Sequence, residues 1–387
     1  MNPVTMNRKY DYIYVNHVML KNMKKRILLI SALAMSLVLS LNMSAQDKWK
    51  FTEASELTLV GKLFPDTPVP YHRLDTLVYH DGFTSSERHQ VTMSSGVSVA
   101  FRTDSPKISV CPTYGRISGL GTTGAISQKG FDLYVKDGKE WKWAGSTTAG
   151  RSGENKLILN NNEKGMLECL LYLPLVSSVD ALKIGVEDGY DIQPAENPFR
   201  HRIAIFGSSY THGISTSRPG MAYPAQLSRM TGLQFLSLGC SGNSKLQDYF
   251  ARALADADVD AYVFDAFSNP SPAMIKERLF KFIEIIQEKH PDTPLIFQKT
   301  IYRERRNYDA ATDRSEAAKM EMAENMMRQA CSMYKNVYYV ETTNATAPDH
   351  ETSVDGTHPG DYGYQLWAKS VAKPICKILA KYGIRCK

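Results

Sequence analysis

Residues 202–213 read RIAIFGSSYTHG, an apolar run followed by a polar stretch that lies between Gly207 and Gly213. A short, continuously apolar run is typical of a strand buried in a parallel sheet. Glycine allows a sharp turn at the end of such a strand, and the backbone N–H groups at the start of a following helix are unpaired. The stretch therefore predicts a buried strand that presents polar side chains at one edge of a sheet.

The chain after residue 202 alternates between apolar runs and longer amphipathic stretches. The further apolar runs are LQFLSLG at 233–239, AYVFDAF at 261–267, TPLIFQK at 293–299 and VYYVET at 337–342. Strands that alternate with helices predict a parallel sheet with helices on both faces, so residues 202–387 are interpreted as a doubly wound α/β domain. Because ligands bind such sheets at the carboxyl ends of the strands, catalytic residues are expected in the loops that follow them.

Residues 46–190 show the period of two that strands require. In GVSVAFRT, residues 96–103, apolar and polar side chains alternate, and in GFDLYVKDGKEWKWAG, residues 130–145, Asp137 and Gly138 mark a hairpin turn. Short strands with turn signals predict an antiparallel β-sandwich domain. Residues 191–201 contain two prolines and several polar residues and are interpreted as the linker between the two domains.

Residues 1–45 have the composition of a leader. Basic residues precede an apolar run at 27–41, and the small residues Ser44 and Ala45 follow it, which is the pattern of a secretory signal peptide. The run is shorter than the roughly 20 residues that span a bilayer, so a membrane anchor is the minor interpretation. The leader holds six Lys or Arg and one Asp, which leaves 40 basic and 39 acidic residues elsewhere. We therefore expect an exported protein, periplasmic or extracellular, with no nucleic-acid partner.

The six cysteines are scattered along the chain and form no Cys-x-x-Cys pair. Without such a pair, or a histidine at ligand spacing, no metal site is expected. Export permits disulfides, and Cys376 and Cys386 are candidates to pair across the end of the last helix.

A loop near the C terminus contains the groups that a nucleophilic serine needs. Ser209 follows the first strand of the α/β domain, but a serine attacks a carbonyl at neutral pH only when a base takes its proton and an acid orients that base. Asp355 and His358 lie three residues apart in SVDGTHPG, residues 353–360, before the last helix. This spacing allows the carboxylate to hold the Nδ1–H of His358 while Nε2 faces Ser209. The sequence therefore predicts a Ser-His-Asp triad.

With these residues, the second half of the chain resembles the SGNH hydrolases, also called GDSL esterases and lipases. The resemblance implies that Ser209 is the nucleophile, preceded by Ser208 where the family commonly has aspartate. It also implies an oxyanion hole formed by the N–H groups of Ser209 and Gly242 and by the amide of Asn269. The usual Gly-x-Asn-Asp block is reduced here to Asn269 alone. No metal or organic cofactor is implied.

The segment GFDLY, residues 130–134, is similar to the Gly-x-Asp-Leu-Tyr signature of a sandwich domain that precedes some of these hydrolases. An exported protein with this arrangement resembles carbohydrate esterases that remove O-acetyl groups from polysaccharides, and this is the function expected. A lipid esterase or lysophospholipase remains open, and so does a catalytically inactive glycan-binding scaffold.

Two further groups of residues are candidates for substrate contact. Arg218 and Tyr223 follow the nucleophile loop and are interpreted as lining the acyl or sugar pocket, with capping of the helix that begins near Tyr223 as the alternative. The basic cluster at 303–306 is interpreted as a solvated face, with a contact to a charged substrate as the alternative.

Several other residues near the predicted site have structural interpretations. His212 is interpreted as a pocket-wall or packing residue, with a second base as the alternative, because the triad already has its base. Cys240 is interpreted as a small buried residue, with a nucleophile as the alternative. Trp141, Trp143 and Tyr134 lie at alternating strand positions and are interpreted as core residues, with stacking on sugar rings as the alternative.

Overall fold

The computed structural model describes residues 48–342 and 347–387, together with Met19 and Met23. The apolar run of the predicted signal peptide, residues 27–41, lies outside the described residues. Residues 49–387 form one structural unit. Among the residues that are described, no helix is both long enough and apolar enough to cross a membrane.

The alternating half of the sequence folds into two antiparallel sheets. Its strands are β1 (Trp49–Glu53), β2 (Thr58–Val60), β3 (Ser98–Thr103), β4 (Ile108–Ile117), β5 (Gly130–Asp137), β6 (Glu140–Thr148), β7 (Lys156–Leu159), β8 (Leu167–Tyr172), β9 (Ser177–Glu187) and β10 (Ile192–Pro194). One sheet has the order β1-β9-β4-β7, and the other has the order β10-β3-β8-β5-β6 with β2 paired to β3. Two short helices, α1 (Ser85–Thr92) and α2 (Ala125–Lys129), lie between strands.

A single apolar core joins the two sheets. Alternate side chains of a strand point to the same face, so Val99 and Phe101 of β3 meet Leu182 and Ile184 of β9 in one buried cluster. This packing confirms the predicted β-sandwich.

The segment predicted as a linker is partly a strand. Ile192 to Pro194 form β10, which pairs with residues 101–103 of β3, and Arg200 already begins the next strand, β11. Pro194 is tolerated because β10 is the edge strand of its sheet, where a missing N–H breaks no ladder bond. A connection without secondary structure is therefore limited to residues 195–199.

The apolar run that opens the second half forms β11 (Arg200–Gly207) in a five-stranded parallel sheet with the order β12-β11-β13-β14-β15. The other elements are α3 (Ser209–His212), α4 (Tyr223–Thr231), β12 (Leu233–Gly239), α5 (Asp248–Ala255), β13 (Ala261–Asp265), α6 (Pro272–Lys289), β14 (Leu295–Gln298), α7 (Ala310–Met333), β15 (Val337–Val340) and α8 (Asp361–Leu379). Leu227 of α4 and Trp367 of α8 belong to one core, and Phe250, Phe282 and Met327 of α5, α6 and α7 belong to another. Two helical layers cover the sheet, which confirms the doubly wound fold.

The register of the three neighbouring strands aligns their carboxyl ends. Gly207 of β11 lies opposite Gly239 of β12 on one side and opposite Asp265 of β13 on the other. The loops that begin at residues 208, 240 and 266 therefore leave the sheet side by side. This is the edge at which catalytic residues were expected.

A disulfide joins Cys376 in α8 to Cys386 near the C terminus, with the Cα atoms 5.9 Å apart. This is the pair that the sequence offered as candidates. The bond fastens the last residues of the chain to the helix that follows the predicted Asp355–His358 block.

Candidate active site

The turn between β11 and α3 presents Ser209 at the start of a short helix. Gly207 is required at the turn, because a Cβ atom there would lie 2.2 Å from the Thr211 hydroxyl oxygen. Ser208 caps the helix by accepting a hydrogen bond from the Tyr210 N–H. Ser209 is thereby fixed as the first helical residue at the carboxyl end of the strand.

The predicted base and acid lie next to Ser209. His358 Nε2 is 2.9 Å from Ser209 Oγ, and His358 Nδ1 is 2.8 Å from Asp355 Oδ2. The other carboxylate oxygen, Asp355 Oδ1, accepts the backbone N–H groups of Thr357 and His358. Burial pushes the pKa of Asp355 up, but these hydrogen bonds outweigh it and hold the pKa below its usual value. The acid is thus kept ionised and aimed at the imidazole.

Three donors in the loops that leave β11, β12 and β13 are without a hydrogen-bond acceptor in the described part of the chain. Within the described residues, the backbone N–H groups of Ser209 and Gly242 donate no hydrogen bond. Asn269 accepts a bond from the Ser244 N–H at its Oδ1, 3.3 Å away, which leaves the Nδ2 side of the amide for another partner. Gly242 has a φ of +71°, a conformation that favours glycine. The structure therefore brings Ser209, Gly242 and Asn269 to neighbouring loops of one sheet edge.

Replacing Asn269 with alanine is expected to lower kcat about 10²- to 10³-fold, as for the loss of one oxyanion donor. The melting temperature should change little, because the amide accepts a single, long hydrogen bond from Ser244. Steady-state kinetics on an activated acetate ester would measure the effect. Asn243→Ala is the control, since the amide of Asn243 is already bonded to Ser86 and Ser241. An unchanged kcat in Asn269→Ala would exclude this amide from the reaction.

Asp265, at the end of β13, is a buried acid that the sequence reasoning missed. It accepts hydrogen bonds from the N–H and hydroxyl of Ser208, and also from the hydroxyls of Thr211 and Ser268. Burial raises its pKa, and these hydrogen bonds offset only part of the rise. The family commonly has aspartate before the nucleophile; here Ser208 stands there and a carboxylate reaches it from the neighbouring strand. An acid that ends a buried strand was the signal available in the sequence.

The cluster at 303–306 was interpreted as a solvated face, but the Arg303 side chain turns inward and connects loops of the site. Its side chain is 17% exposed, and it donates to the Tyr210 hydroxyl at 3.0 Å and to the Ser268 carbonyl at 2.7 Å. The Tyr210 hydroxyl in turn donates to the carbonyl of Thr357, the residue before His358. Glu316 balances the guanidinium charge at 2.8 Å. Arg303 and Tyr210 thus connect the nucleophile helix, the Asn269 loop and the histidine loop.

The two residues predicted to line a substrate pocket lie elsewhere. Arg218 donates to Asp132 Oδ2 and to the Tyr134 hydroxyl, both at 2.7 Å, so it joins the α/β domain to the sandwich. Asp132 and Tyr134 belong to the GFDLY segment. Tyr223 is fully buried; its ring stacks on Trp367 with centroids 4.5 Å apart. Neither side chain is presented to a substrate beside Ser209.

The Arg218–Asp132 pair places a charge in the interior. The carboxylate of Asp132 has no exposed surface and also accepts the N–H of Gly220. Burial raises its pKa, and the charge and hydrogen bonds of Arg218 reverse only part of this effect. Removing one partner of such a pair leaves an uncompensated buried charge.

Arg218→Ala is therefore expected to lower the free energy of unfolding by about 3–5 kcal/mol. Urea titration followed by circular dichroism would measure it. The matched control is Arg306→Ala, because the Arg306–Asp313 pair is partly exposed and should contribute no more than about 1 kcal/mol. Adding Asp132→Asn to Arg218→Ala should restore part of the loss. Equal destabilisation by the two arginine variants would contradict the assignment of a buried interdomain pair.

His212 and Cys240 are packing residues, as predicted. His212 is 1% exposed, and its Nε2 lies 2.6 Å from the Leu175 carbonyl, to which it donates. Burial lowers the pKa of His212 to about 3, so the ring stays neutral at physiological pH. Burial raises the pKa of the Cys240 thiol to about 12, which keeps it protonated. Neither group competes with the triad.

The sandwich half also supports the loop that carries Gly242. Arg73 is fully buried and donates to the Gly239 carbonyl at 3.0 Å, and Gln90 of α1 donates to the Ser241 carbonyl at 2.9 Å. The end of β12 is thus held by residues far away in the sequence.

Across the described ranges 48–342 and 347–387, no group of three or more His, Cys, Asp or Glu is placed to hold a metal ion.

Two family models match this chain. Residues 200–376 match the model of the GDSL-like lipase/acylhydrolase family, and residues 48–192 match the GxDLY model, described as the N-terminus of SGNH-hydrolase-type esterases. Among curated proteins, no significant match is found.

Solved structures with both halves of the fold are similar to the chain. A candidate GDSL-like lipase from Bacteroides ovatus is 37% identical, with a TM-score of 0.83 over 88% of this chain and 99% of that one. A salicylyl-acyltransferase from a tetracycline biosynthetic pathway is 21% identical, with a TM-score of 0.66 over 87% and 98% of the two chains. A family two carbohydrate esterase from Cellvibrio japonicus is 11% identical, with a TM-score of 0.57 over 86% and 98%. The last two similarities show a shared fold alone.

Proposed function

Because the chain belongs to the GDSL-like lipase/acylhydrolase family, we propose that it is an exported serine esterase that removes O-acetyl groups from a carbohydrate. The observation that carries the reaction class is the continuous contact from Ser209 Oγ through His358 to Asp355. Nucleophile, base and orienting acid are then in hydrogen-bond reach of one another, which is what acyl transfer by a serine requires.

The proposed reaction has two halves. Ser209 Oγ attacks the ester carbonyl carbon while its proton passes to His358 Nε2, and the oxyanion accepts hydrogen bonds from the donors around Asn269. The C–O bond to the alcohol then breaks, the alcohol leaves with the proton from His358, and the acyl group stays on Ser209. Water then gives a proton to His358 and attacks the acyl carbon, the bond between that carbon and Ser209 Oγ breaks, and the acid leaves as His358 returns the proton to Ser209.

The loops around Ser209 favour a short acyl group. Ser241, Gly242 and Asn243 follow β12, and Ser268 and Asn269 follow β13; all five are small or polar. A long acyl chain needs a continuous apolar lining beside the nucleophile, to which these residues contribute no large apolar side chain. The carbohydrate esterase from Cellvibrio japonicus shares this fold, and the choice of a sugar as the alcohol in this proposal follows that precedent.

The acyl preference tests this proposal. We expect kcat/KM to fall along the series of p-nitrophenyl acetate, butyrate and octanoate, because a pocket shaped for a methyl group is overpacked by added methylenes. A lipid slot would instead gain about 0.8 kcal/mol, or roughly fourfold, for each methylene that it buries. Purified mature protein and initial rates suffice for the measurement.

The outcomes separate the alternatives. A rise of kcat/KM with chain length would replace the acetylesterase by a lipid esterase, which is the activity suggested by the name of the Bacteroides ovatus relative. Failure to hydrolyse any ester, with glycan binding retained, would favour an inactive binding scaffold. The presence of Ser209, His358 and Asp355 in contact argues against that scaffold.

Export rests on the leader sequence and is supported by one structural feature. The Cys376–Cys386 disulfide suits an oxidising compartment, whereas reducing cytosol disfavours such bonds. Sequencing the N terminus of the mature protein would test export; a chain that retains residues 27–41 would contradict it.

A further inference from the structure

The two oxygens of the Asp265 carboxylate bind different parts of the site. Oδ2 accepts the N–H and the hydroxyl of Ser208 at 3.0 and 2.6 Å, and the hydroxyl of Thr211 at 3.2 Å. Oδ1 accepts the hydroxyl of Ser268 at 2.9 Å. Ser208 and Thr211 lie on either side of the nucleophile in the sequence, and Ser268 lies directly before Asn269. One buried side chain therefore bridges the segments that carry two of the candidate oxyanion donors.

Ser268 is held at its backbone as well as at its side chain. It is 3% exposed, and its hydroxyl also lies 2.6 Å from the hydroxyl of Thr300. Its carbonyl accepts hydrogen bonds from Arg303 at 2.7 Å and from Lys319 of α7 at 3.2 Å. That carbonyl belongs to the peptide unit that joins Ser268 to Asn269. The backbone that enters Asn269 is thus fixed from two sides.

The Asn269 side chain has much less support of its own. Within the described residues its one hydrogen bond is the long one, 3.3 Å, from the Ser244 N–H. Pro270 follows and restricts the backbone of Asn269 from the other end. A donor stabilises an oxyanion only when it is already aimed, and a displacement of about 1 Å can cost about 10²-fold in rate. The aim of this amide therefore depends on how firmly Ser268 is held.

The charges around Ser268 explain why an acid suits the position of Asp265. Glu316 pairs with Arg303 at 2.8 Å and with Lys319 at 2.6 Å, so these three side chains together carry one positive charge in excess. A buried charge is tolerated when an opposite charge lies close to it. A carboxylate at Asp265 supplies that charge on the other side of Ser268, with the serine hydroxyl bonded to the acid and the serine carbonyl bonded to the cations.

We propose that Asp265 is a positioning residue for the oxyanion hole. It holds the nucleophile turn through Oδ2 and the Asn269 loop through Ser268, and so fixes the Asn269 amide relative to the Ser209 N–H. This role rests on the serine-esterase reaction of the proposed function, but not on its acyl group or its alcohol. Oδ2 has three donors and Oδ1 has one within the described chain, so the bond to Ser268 is the one whose loss should be felt most.

Two variants weaken this bridge without touching the triad. Ser268→Ala removes the hydroxyl bonded to Oδ1, and we expect kcat to fall about tenfold while KM stays within about twofold, because alignment is lost and substrate contacts are not. Asp265→Asn replaces one accepting oxygen with an NH₂ group and should lower kcat about 10²-fold. The rates are measured on the p-nitrophenyl ester that the native protein hydrolyses fastest, and thermal unfolding shows whether each variant is folded.

Ser95→Ala is the matched control for the loss of a buried serine hydroxyl. Ser95 is 1% exposed, and its hydroxyl donates to the carbonyl of His212 at 2.9 Å, outside the bridge. Its kcat should stay within about twofold of native, although a buried hydrogen bond is lost as in Ser268→Ala. An equal fall of kcat in Ser95→Ala and Ser268→Ala would overturn the proposal, because loss of stability would then explain both.

A double-mutant cycle separates positioning from a structural role. If Ser268 acts through the amide of Asn269, Ser268→Ala should change kcat by less than about twofold in the Asn269→Ala background, where no amide is left to position. A fall of about tenfold in both backgrounds would overturn the proposal, and so would a native kcat in Ser268→Ala. If Asp265→Asn does not fold, this cycle decides alone.

The same cycle distinguishes failure of this proposal from failure of the proposed function. A native protein that prefers the octanoate ester contradicts the acetylesterase, and the cycle is then measured on that ester. If no ester is hydrolysed, the proposed function fails, and the cycle is read from the rate at which a fluorophosphonate labels Ser209, because that attack also develops charge on an oxygen. Absence of labelling in the native protein would overturn the positioning role as well.

Discussion

Replacing Ser209 with alanine is expected to lower kcat by about 10⁶ while the protein remains folded, as for the nucleophile of a serine triad. The loss is large because no acyl-enzyme can form without the hydroxyl, and His358 then has no proton to take from it. The free energy of unfolding should change little, because the hydroxyl that is removed takes part in one side-chain hydrogen bond of the described structure, with His358 Nε2. Initial rates on p-nitrophenyl acetate and thermal unfolding measure the two quantities.

Ser208→Ala is the matched control, because it removes a hydroxyl from the adjacent residue. Its hydroxyl donates to the buried carboxylate of Asp265 at 2.6 Å, so we expect a loss of about 1–3 kcal/mol in the free energy of unfolding. Most of the esterase activity should remain at a temperature where the variant is folded. If Ser208→Ala abolished activity and Ser209→Ala preserved it, the nucleophile would be the other serine.

The fold was predictable where burial imposes a period. The run that forms β11 is apolar at every position that packs between two helical layers, and the residues of β3 alternate because one face is buried. β10 was missed because Ile192 to Pro194 is too short to show a period. Its pairing with β3 depends on an edge that forms only once the sandwich has folded.

The site was predictable where its geometry is local in the sequence. Asp355 and His358 are three residues apart, so one loop brings the carboxylate to the imidazole. Asp265 lies 57 residues from Ser208, and only the parallel pairing of β11 and β13 brings the two together. The spacing of these two residues in the sequence therefore could not predict their contact.

The same reason explains the reassignment of Arg218. Its partner Asp132 lies 86 residues earlier in the other half of the chain, so the position of Arg218 after the nucleophile loop suggested a pocket instead. The GFDLY segment therefore has a structural role in this chain: its buried acid and tyrosine hold the α/β domain. Arg303 was misread for a related reason, since a cluster of charges does not reveal which arginine turns inward to Tyr210.

Asp355→Asn is expected to lower kcat about 10⁴-fold, as found when the orienting acid of a serine triad becomes an amide. The reason lies in how the carboxylate is held. One oxygen accepts the N–H groups of Thr357 and His358, so the asparagine carbonyl should occupy that position. The NH₂ group then faces His358 Nδ1 and donates to it. The imidazole is forced to carry its proton on Nε2, where it cannot accept the proton of Ser209.

Comparison with a second amide substitution tests this tautomer argument. Asp349→Asn changes an exposed acid that follows the same last strand, and it should leave kcat and the melting temperature nearly unchanged. Asp355→Asn should keep the melting temperature within a few degrees, because its carbonyl preserves both backbone hydrogen bonds. A fall in kcat with intact folding would then arise from His358 and not from the loop. If Asp355→Asn retained near-native kcat, the acid would only support the loop, and the base would need no partner.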